Sequence, residues 1–215
     1  MCCRWMNKLE NNLSKDTGNN LIVAVTGASG APYAVRLLEV LGELGVGVEL
    51  IVSRMGRDLL RREAGIPASG ELKEHLGERG INVSRLTAYS EDNLSAPPAS
   101  GSHTTRGMVV CPCSVKTLSA VAVGACRTLL ERAAEVNLKE GRPLVLVLRE
   151  SPYSLIQIEN MRTVTLAGGV ILPASPAFYH NPEGVGELVD FIVARILDRF
   201  SIDHELGVRW SGNGS

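Results

Sequence analysis

No apolar stretch in this sequence approaches the ~20 residues that a membrane-crossing helix needs, and its first residues lack the apolar core of a secretory leader. A surplus of charge is missing too. The 22 Lys and Arg stand against 23 Asp and Glu, a formal net charge of -1, which makes no electrostatic case for nucleic acid or an anionic membrane surface. The cysteines form no even-numbered framework: there are five, Cys2, Cys3, Cys111, Cys113 and Cys126. In a chain long enough to bury its own core, that reads as the reduced thiols of a cytoplasmic protein. Cys111-Pro112-Cys113 is half of a metal site without a second Cys/His pair at ligand spacing, so no metal is expected. Residues Met1–Asn20 are polar and Asn-rich and are read as a disordered tail. Residues 21–210 are read as one domain, and 211–215 as a short C-terminal tail. With 45% hydrophobic and 21% charged residues over 215 positions, a single α/β domain is the natural class.

What is present centres on LIVAVTGASG, Leu21–Gly30. Leu21–Val25 is an unbroken apolar run, the pattern of a strand buried on both faces. A turn of small residues comes next, and Tyr33–Leu44 carries the helical spacing Val35, Leu37, Leu38, Leu41. Strand, Gly-rich turn and helix in that order build an anion site, because a helix's first amides lack internal partners and its dipole is positive there. The glycines do not fit the dinucleotide G-x-G-x-x-G, and no Lys-Ser or Lys-Thr pair closes a P-loop. A tight turn without ligand stands open beside the anion site. Ser29 favours the site, since a hydroxyl at a helix mouth can bond a ligand or relay a proton.

Further along, strands are expected at Val46–Val52, Val83–Ala88, Gly107–Cys111, Pro143–Leu148 and Val170–Leu172. Helices are expected at Met55–Ala64, Glu71–Arg79, Leu118–Leu138, Asn160–Gly168 and Val185–Phe200, with Ala96–Ser102 as a loop. Apolar strands alternating with helices imply a parallel sheet covered on both faces, and in such sheets ligands sit beyond the carboxyl ends of the strands. The residues just past those ends are Gly27-Ala28-Ser29, Ser53, Ser114–Thr117, Arg149-Glu150 and Ala177-Phe178-Tyr179. Hydroxyls, helix-start amides, a cation, an acid and a phenol make a coherent anion-binding set. Ser114 has the simpler role of capping its helix.

TGASGAPYAVRLLE, APPASGS, MVVCPCSVKTLSAVAVGA, ERAAEVNLKEGRPLVLVLRESP, ILPASPAFYH and LVDFIVARILD together closely resemble the flavin prenyltransferases of the UbiX/Pad type. The resemblance spans about residues 21–210, with its separate motifs in the right order. It implies a flavodoxin-like Rossmann three-layer sandwich around a central parallel sheet, assembled as a homododecamer with sites at subunit junctions. The implied chemistry joins the dimethylallyl group of dimethylallyl phosphate to reduced FMN at N5 and C6. The product, prenylated FMN, is the cofactor of a partner decarboxylase of the UbiD type.

On this resemblance Gly27, Ala28, Ser29, Ser53, Ser114, Val115, Lys116, Thr117 and Arg149 match FMN-binding positions. Tyr179 and Arg195 match the pair that binds dimethylallyl phosphate, with Lys139 and Arg132 on the same phosphate side. A guanidinium and a phenol suit a phosphate monoester. Glu63 and Glu150 match active-site acids; Glu150, Ser29, Glu63 and Lys139 make the expected catalytic set. The Asp-rich metal motifs of ordinary prenyl transferases are absent, so Arg195, Lys139 and Tyr179 are expected to carry the leaving phosphate's charge. The chain departs from the family at Leu94, where some relatives have an aromatic, at Gly141, which interrupts a basic run, and at Ala34. Two rival readings are a flavin-dependent cysteine decarboxylase of the same fold and a non-enzymatic FMN-binding regulatory subunit. The first needs a catalytic His and a Pro-x-Met-Asn motif, where this chain has Pro112-Cys113-Ser114.

Overall fold

Six parallel strands set the frame: β1 (Leu21–Val25), β2 (Val48–Val52), β3 (Leu86–Ser90), β4 (Gly107–Cys113), β5 (Leu144–Leu148) and β6 (Val170–Pro173). The structure, a computed structural model, describes residues 20–207. The expected tails fall outside that range except for Asn20, whose side-chain amide donates to Glu49 at 3.1 Å. The strands lie in the order β3-β2-β1-β4-β5-β6, so chain direction across the sheet reverses between β1 and β4. In open parallel sheets the crevice at such a reversal is where ligands bind.

Every residue of β1, β2, β4 and β5 is buried. Their side chains alternate between two cores. Leu21, Val23 and Val25 face a core shared with helices α1 (Ala31–Glu43), α2 (Arg54–Ala64), α3 (Leu72–Glu78) and α7 (Val185–Arg199). Ile22 and Ala24 face the other, shared with α4 (Val115–Ala122), α5 (Leu129–Lys139) and α6 (Leu155–Leu166). Each fully buried Leu or Ile contributes about 1.5–3 kcal/mol, and the two apolar faces fix strand register. The expected three-layer sandwich is the observed one.

Three expected elements differ. The helix Leu118–Leu138 is two helices, α4 and α5, separated by Val123–Thr128. Gly124 takes φ 66, a left-handed turn that a β-carbon disfavours, and Thr128 restarts the chain as N-cap by accepting from the Glu131 amide. The helix expected from Asn160 begins at Leu155, behind a capping box made by Ser154 and Gln157. Leu155, Ile156, Ile158 and Leu166 are exposed and only Val164 is buried, so no one-sided periodicity announces α6. The edge strand expected at Val83–Ala88 runs over Leu86–Ser90; its mixed burial gives little alternation to read.

Candidate active site at the carboxyl edge

The turn after β1 enters α1 through Gly30, at φ 133, a backbone state open chiefly to glycine. Pro32 sits in the first helical turn, where its missing N–H costs nothing. Gly30 has no side chain with which to cap the helix. Glu63, at the end of α2, does it instead, accepting from Gly30 N–H at 2.8 Å and Ala31 N–H at 2.9 Å. The first amides of α1 are therefore engaged by a carboxylate from the same chain, which corrects the expectation that they are left to a ligand. Burial pushes the Glu63 pKa up, but hydrogen bonds from Gly30, Ser29 and Ala31 and the charge of Arg149 outweigh it and hold the carboxyl below its ordinary value.

Arg149 reaches the same turn from the far side of β4. It leaves the end of β5 with its N–H on Cys113 O at 3.3 Å and donates Nε–H to Ser29 O at 3.0 Å. Ser29, Glu63 and Arg149 thus form one cluster at the switch point, and no strand-end ion pair between Arg149 and Glu150 is needed to explain Arg149. Gly27 is required by packing, since a β-carbon there would lie 2.6 Å from Met55 Cβ. Glu150 accepts from the amide of Ser151 at 3.1 Å and is only partly covered.

Two serines cap the neighbouring helices. Ser53 Oγ accepts from Gly56 N–H at 3.0 Å, and Ser53 N–H donates to Val25 O at 3.0 Å, which ties the mouth of α2 to the end of β1. Ser114 Oγ accepts from Thr117 N–H at 3.3 Å and lies 3.1 Å from Thr117 Oγ1. The Ser53 hydroxyl keeps a proton to donate, while Ser114 and Thr117 share one hydroxyl–hydroxyl bond. The amides of Val115 and Lys116 begin α4 beside them. The Lys116 side chain turns outward to Glu131, Nζ to Oε1 2.6 Å, so its place at the site is a backbone one.

The remaining predicted residues stand in two other groups. Tyr179 packs edge-on against Phe191 of α7 at 6.3 Å, and His180 stacks on the same ring at 6.0 Å. Arg195 lies one turn along α7 and donates to Asp198 Oδ2 at 3.0 Å. Arg132 and Lys139 belong to α5, which runs from the carboxyl edge back to the amino edge. Arg132 donates to Ala99 O at 3.1 Å and to Glu135 at 2.6 Å, fastening the Ala96–Ser102 loop. Lys139 ends the helix paired with Glu140, at the opposite edge of the sheet from Ser29. One chain therefore does not bring Lys139 to the cluster. The sequence alone assigns no site role to Thr26, Phe191, His180 or the Glu49–His103 pair, although the first three stand within the family-like motifs.

The donor set at the switch point fits FMN: a small-residue turn, three serine hydroxyls, a guanidinium and the start of α4 stand together along the carboxyl edge of β1, β2, β4 and β5. Among the described residues no cluster of His, Cys, Asp and Glu is arranged to hold a metal ion. The flavoprotein family profile matches residues 9–197. A flavin prenyltransferase UbiX from Pseudomonas aeruginosa is 46% identical over 194 residues, covering 88% of this chain and 93% of that protein.

The chain belongs to the UbiX flavin prenyltransferase family.

Two solved UbiX-type structures extend the match to three dimensions. AnUbiX (PadA1), in complex with FMN and dimethylallyl pyrophosphate, is 38% identical with a TM-score of 0.81, over 92% of this chain and 98% of its own. A dodecameric FMN-dependent UbiX-like decarboxylase from Escherichia coli O157:H7 is 39% identical with the same TM-score of 0.81, over 90% of this chain and all of its own. The fold is therefore shared with these two structures over about nine-tenths of the chain.

Proposed function

We propose that the protein is a flavin prenyltransferase, joining the dimethylallyl group of dimethylallyl phosphate to N5 and C6 of reduced FMN and releasing phosphate. The observation that carries this reading is the Ser29–Glu63–Arg149 cluster at the sheet's switch point, in a chain of this family. Bound FMN supplies the two nucleophilic ring positions, and the residues do the rest. Gly27, Ala28, Ser29, Ser53 and the Ser114–Thr117 turn hold the flavin; Arg149 meets its negative charge. Glu63, held as a carboxylate below the usual range, is suited to accept a proton through Ser29 Oγ and not to donate one. Glu150 serves as the second acid/base. Tyr179, Arg195, Lys139 and Arg132 take the charge of the departing phosphate.

Because Lys139 and Arg132 lie away from the cluster in one chain, the working site draws on more than one copy. The exposed apolar residues Leu155, Ile156, Ile158 and Leu166 of α6 supply a surface for such assembly, and a homododecamer is the form we infer, after the relative from E. coli. Prenylated FMN then passes to a UbiD-type decarboxylase. No helix is long and apolar enough to cross a membrane among the described residues, and the free thiols Cys111, Cys113 and Cys126 support a cytoplasmic setting. The cysteine-decarboxylase reading finds no support: His75, His103 and His204 bond to Glu78, Glu49 and Asp198, and His180 stacks on Phe191's ring.

The test is anaerobic incubation with reduced FMN and dimethylallyl phosphate, followed by mass spectrometry of the extracted flavin. A flavin heavier by one five-carbon unit is expected. Glu150→Gln and Arg195→Ala are expected to bind FMN and leave it unchanged; turnover in either removes that residue from the mechanism. If wild type binds flavin tightly yet alters it with neither the monophosphate nor the diphosphate, the protein is an FMN-binding subunit.

A further inference from the structure

Thr26 is the last residue before the Gly27–Gly30 turn and is 2% exposed. Its hydroxyl donates to Pro112 O at 2.8 Å and accepts from Ser114 N–H at 2.8 Å. Its own N–H points to Pro112 O at 3.3 Å. The reason lies in β4. Pairing of β1 with β4 runs from Leu21/Gly107 to Ala24/Val110 and stops there, and pairing of β4 with β5 shifts between Val110 and Cys113. Pro112 brings no N–H to that interval. The ladder thus gives out at the switch point, where the two turns that face the crevice begin. One side-chain hydroxyl, spending both its donor and an acceptor position, replaces the lost rung.

We propose that Thr26 is a positioning residue for FMN: it locks the Gly27–Ser29 turn and the Ser114–Thr117 turn at one fixed separation, so that both meet the flavin without rearrangement. This rests on the reading of the crevice as the FMN site. Valine has nearly the shape of threonine but neither donor nor acceptor in its side chain; it leaves the Ser114 amide unpaired and Pro112 O with only the longer bond from the residue-26 N–H. With that lock gone the two turns move independently, and FMN must order them on binding. Serine keeps the hydroxyl.

FMN is titrated onto flavin-free wild type, Thr26→Val and Thr26→Ser by flavin fluorescence, with thermal unfolding in parallel. In Thr26→Val the Kd for FMN is expected to rise about tenfold, one lost hydrogen bond's worth. Thr26→Ser stays within about twofold of wild type, and KM for dimethylallyl phosphate at saturating FMN is unchanged in both. A folded Thr26→Val with wild-type affinity overturns the proposal, as does a Thr26→Ser that weakens equally. If Thr26→Val does not fold, hydrogen exchange at the Ser114 amide of flavin-free wild type decides: strong protection supports the lock, exchange at an unprotected rate refutes it. Failure of wild type to bind FMN counts against the function proposed above, while the Ser114 amide still reports on the lock.

Discussion

The two halves of the proposed site are built on different plans. On the flavin side, the turn after β1, Glu63 at the end of α2 and Arg149 just past β5 meet within one chain through bonds of 2.8 to 3.0 Å. On the donor side, Arg195 and Lys139 pair with their sequence neighbours Asp198 and Glu140, Arg132 fastens a loop, and the three never converge. The first half is preorganised by the fold. The second consists of cations parked on local acids, a cheap arrangement, since exposed pairs of this kind are worth at most about 1 kcal/mol and are readily exchanged for a phosphate brought against them by another copy. On the proposed reading, the resident group is held by the monomer's own sheet edge and the transient one is met by side chains that assembly gathers.

The sharpest way to break this contrast is complementation. Lys139→Ala and Arg149→Ala are each expected to lose activity on the order of a hundredfold or more, by different routes. Co-expressed in one assembly, they are expected to regain a sizeable fraction of wild-type turnover, because some sites then take Arg149 from one copy and Lys139 from another. No recovery in a verified mixed assembly would place both residues of a working site in a single chain.

A second test separates the halves energetically. His103 bonds both oxygens of Glu49, at 2.8 and 3.0 Å, and Arg142 holds His103 O at 2.8 Å. This network anchors the loop that Arg132 also grips, next to Lys139. Glu49 is 2% exposed, and a hydrogen bond to a buried carboxylate is worth about 1.5–3 kcal/mol. His103→Ala is therefore expected to lower urea stability by about that amount while leaving FMN affinity unchanged. Weaker flavin binding would show that the two halves are coupled.

The smallest effect concerns acid. The Glu63 pKa lies below its ordinary 4.5, so its contribution to stability is complete above that ordinary value and is lost as pH falls through the depressed one. Glu63→Gln is expected to be slightly less stable at neutral pH and to lose less on acidification. Melting temperatures of both proteins from neutral to about pH 3 read this directly; parallel curves would deny the carboxylate its role at the mouth of α1.

Much of the flavin half could be read from the chain because parallel strands buried on both faces are apolar throughout, and the residues after them must lie along one edge. That logic found Ser29, Ser53, Ser114 and Arg149. It could not find who caps α1, since Glu63 lies 33 positions from Gly30 and no periodicity links them. The break at Gly124 hid inside an Ala- and Leu-rich run that looks helical throughout. The start of α6 hid for a different reason: its apolar and polar residues are spread around the helix with no single apolar face. Lys139 was named through family resemblance, yet its edge was legible: a helix that returns to start β5 must end at the amino edge.

Pro112, which interrupts the ladder, is flanked by Cys111 and Cys113, both wholly buried, with burial pushing each thiol well above its ordinary pKa. Thiolate is the form that attacks carbon. An enzyme that opens an allylic C–O bond must steer the carbon skeleton to one acceptor, and any competing soft nucleophile nearby invites self-alkylation. Kept neutral and fully buried, one in each core of the sandwich, these two sulfurs leave the flavin without a rival.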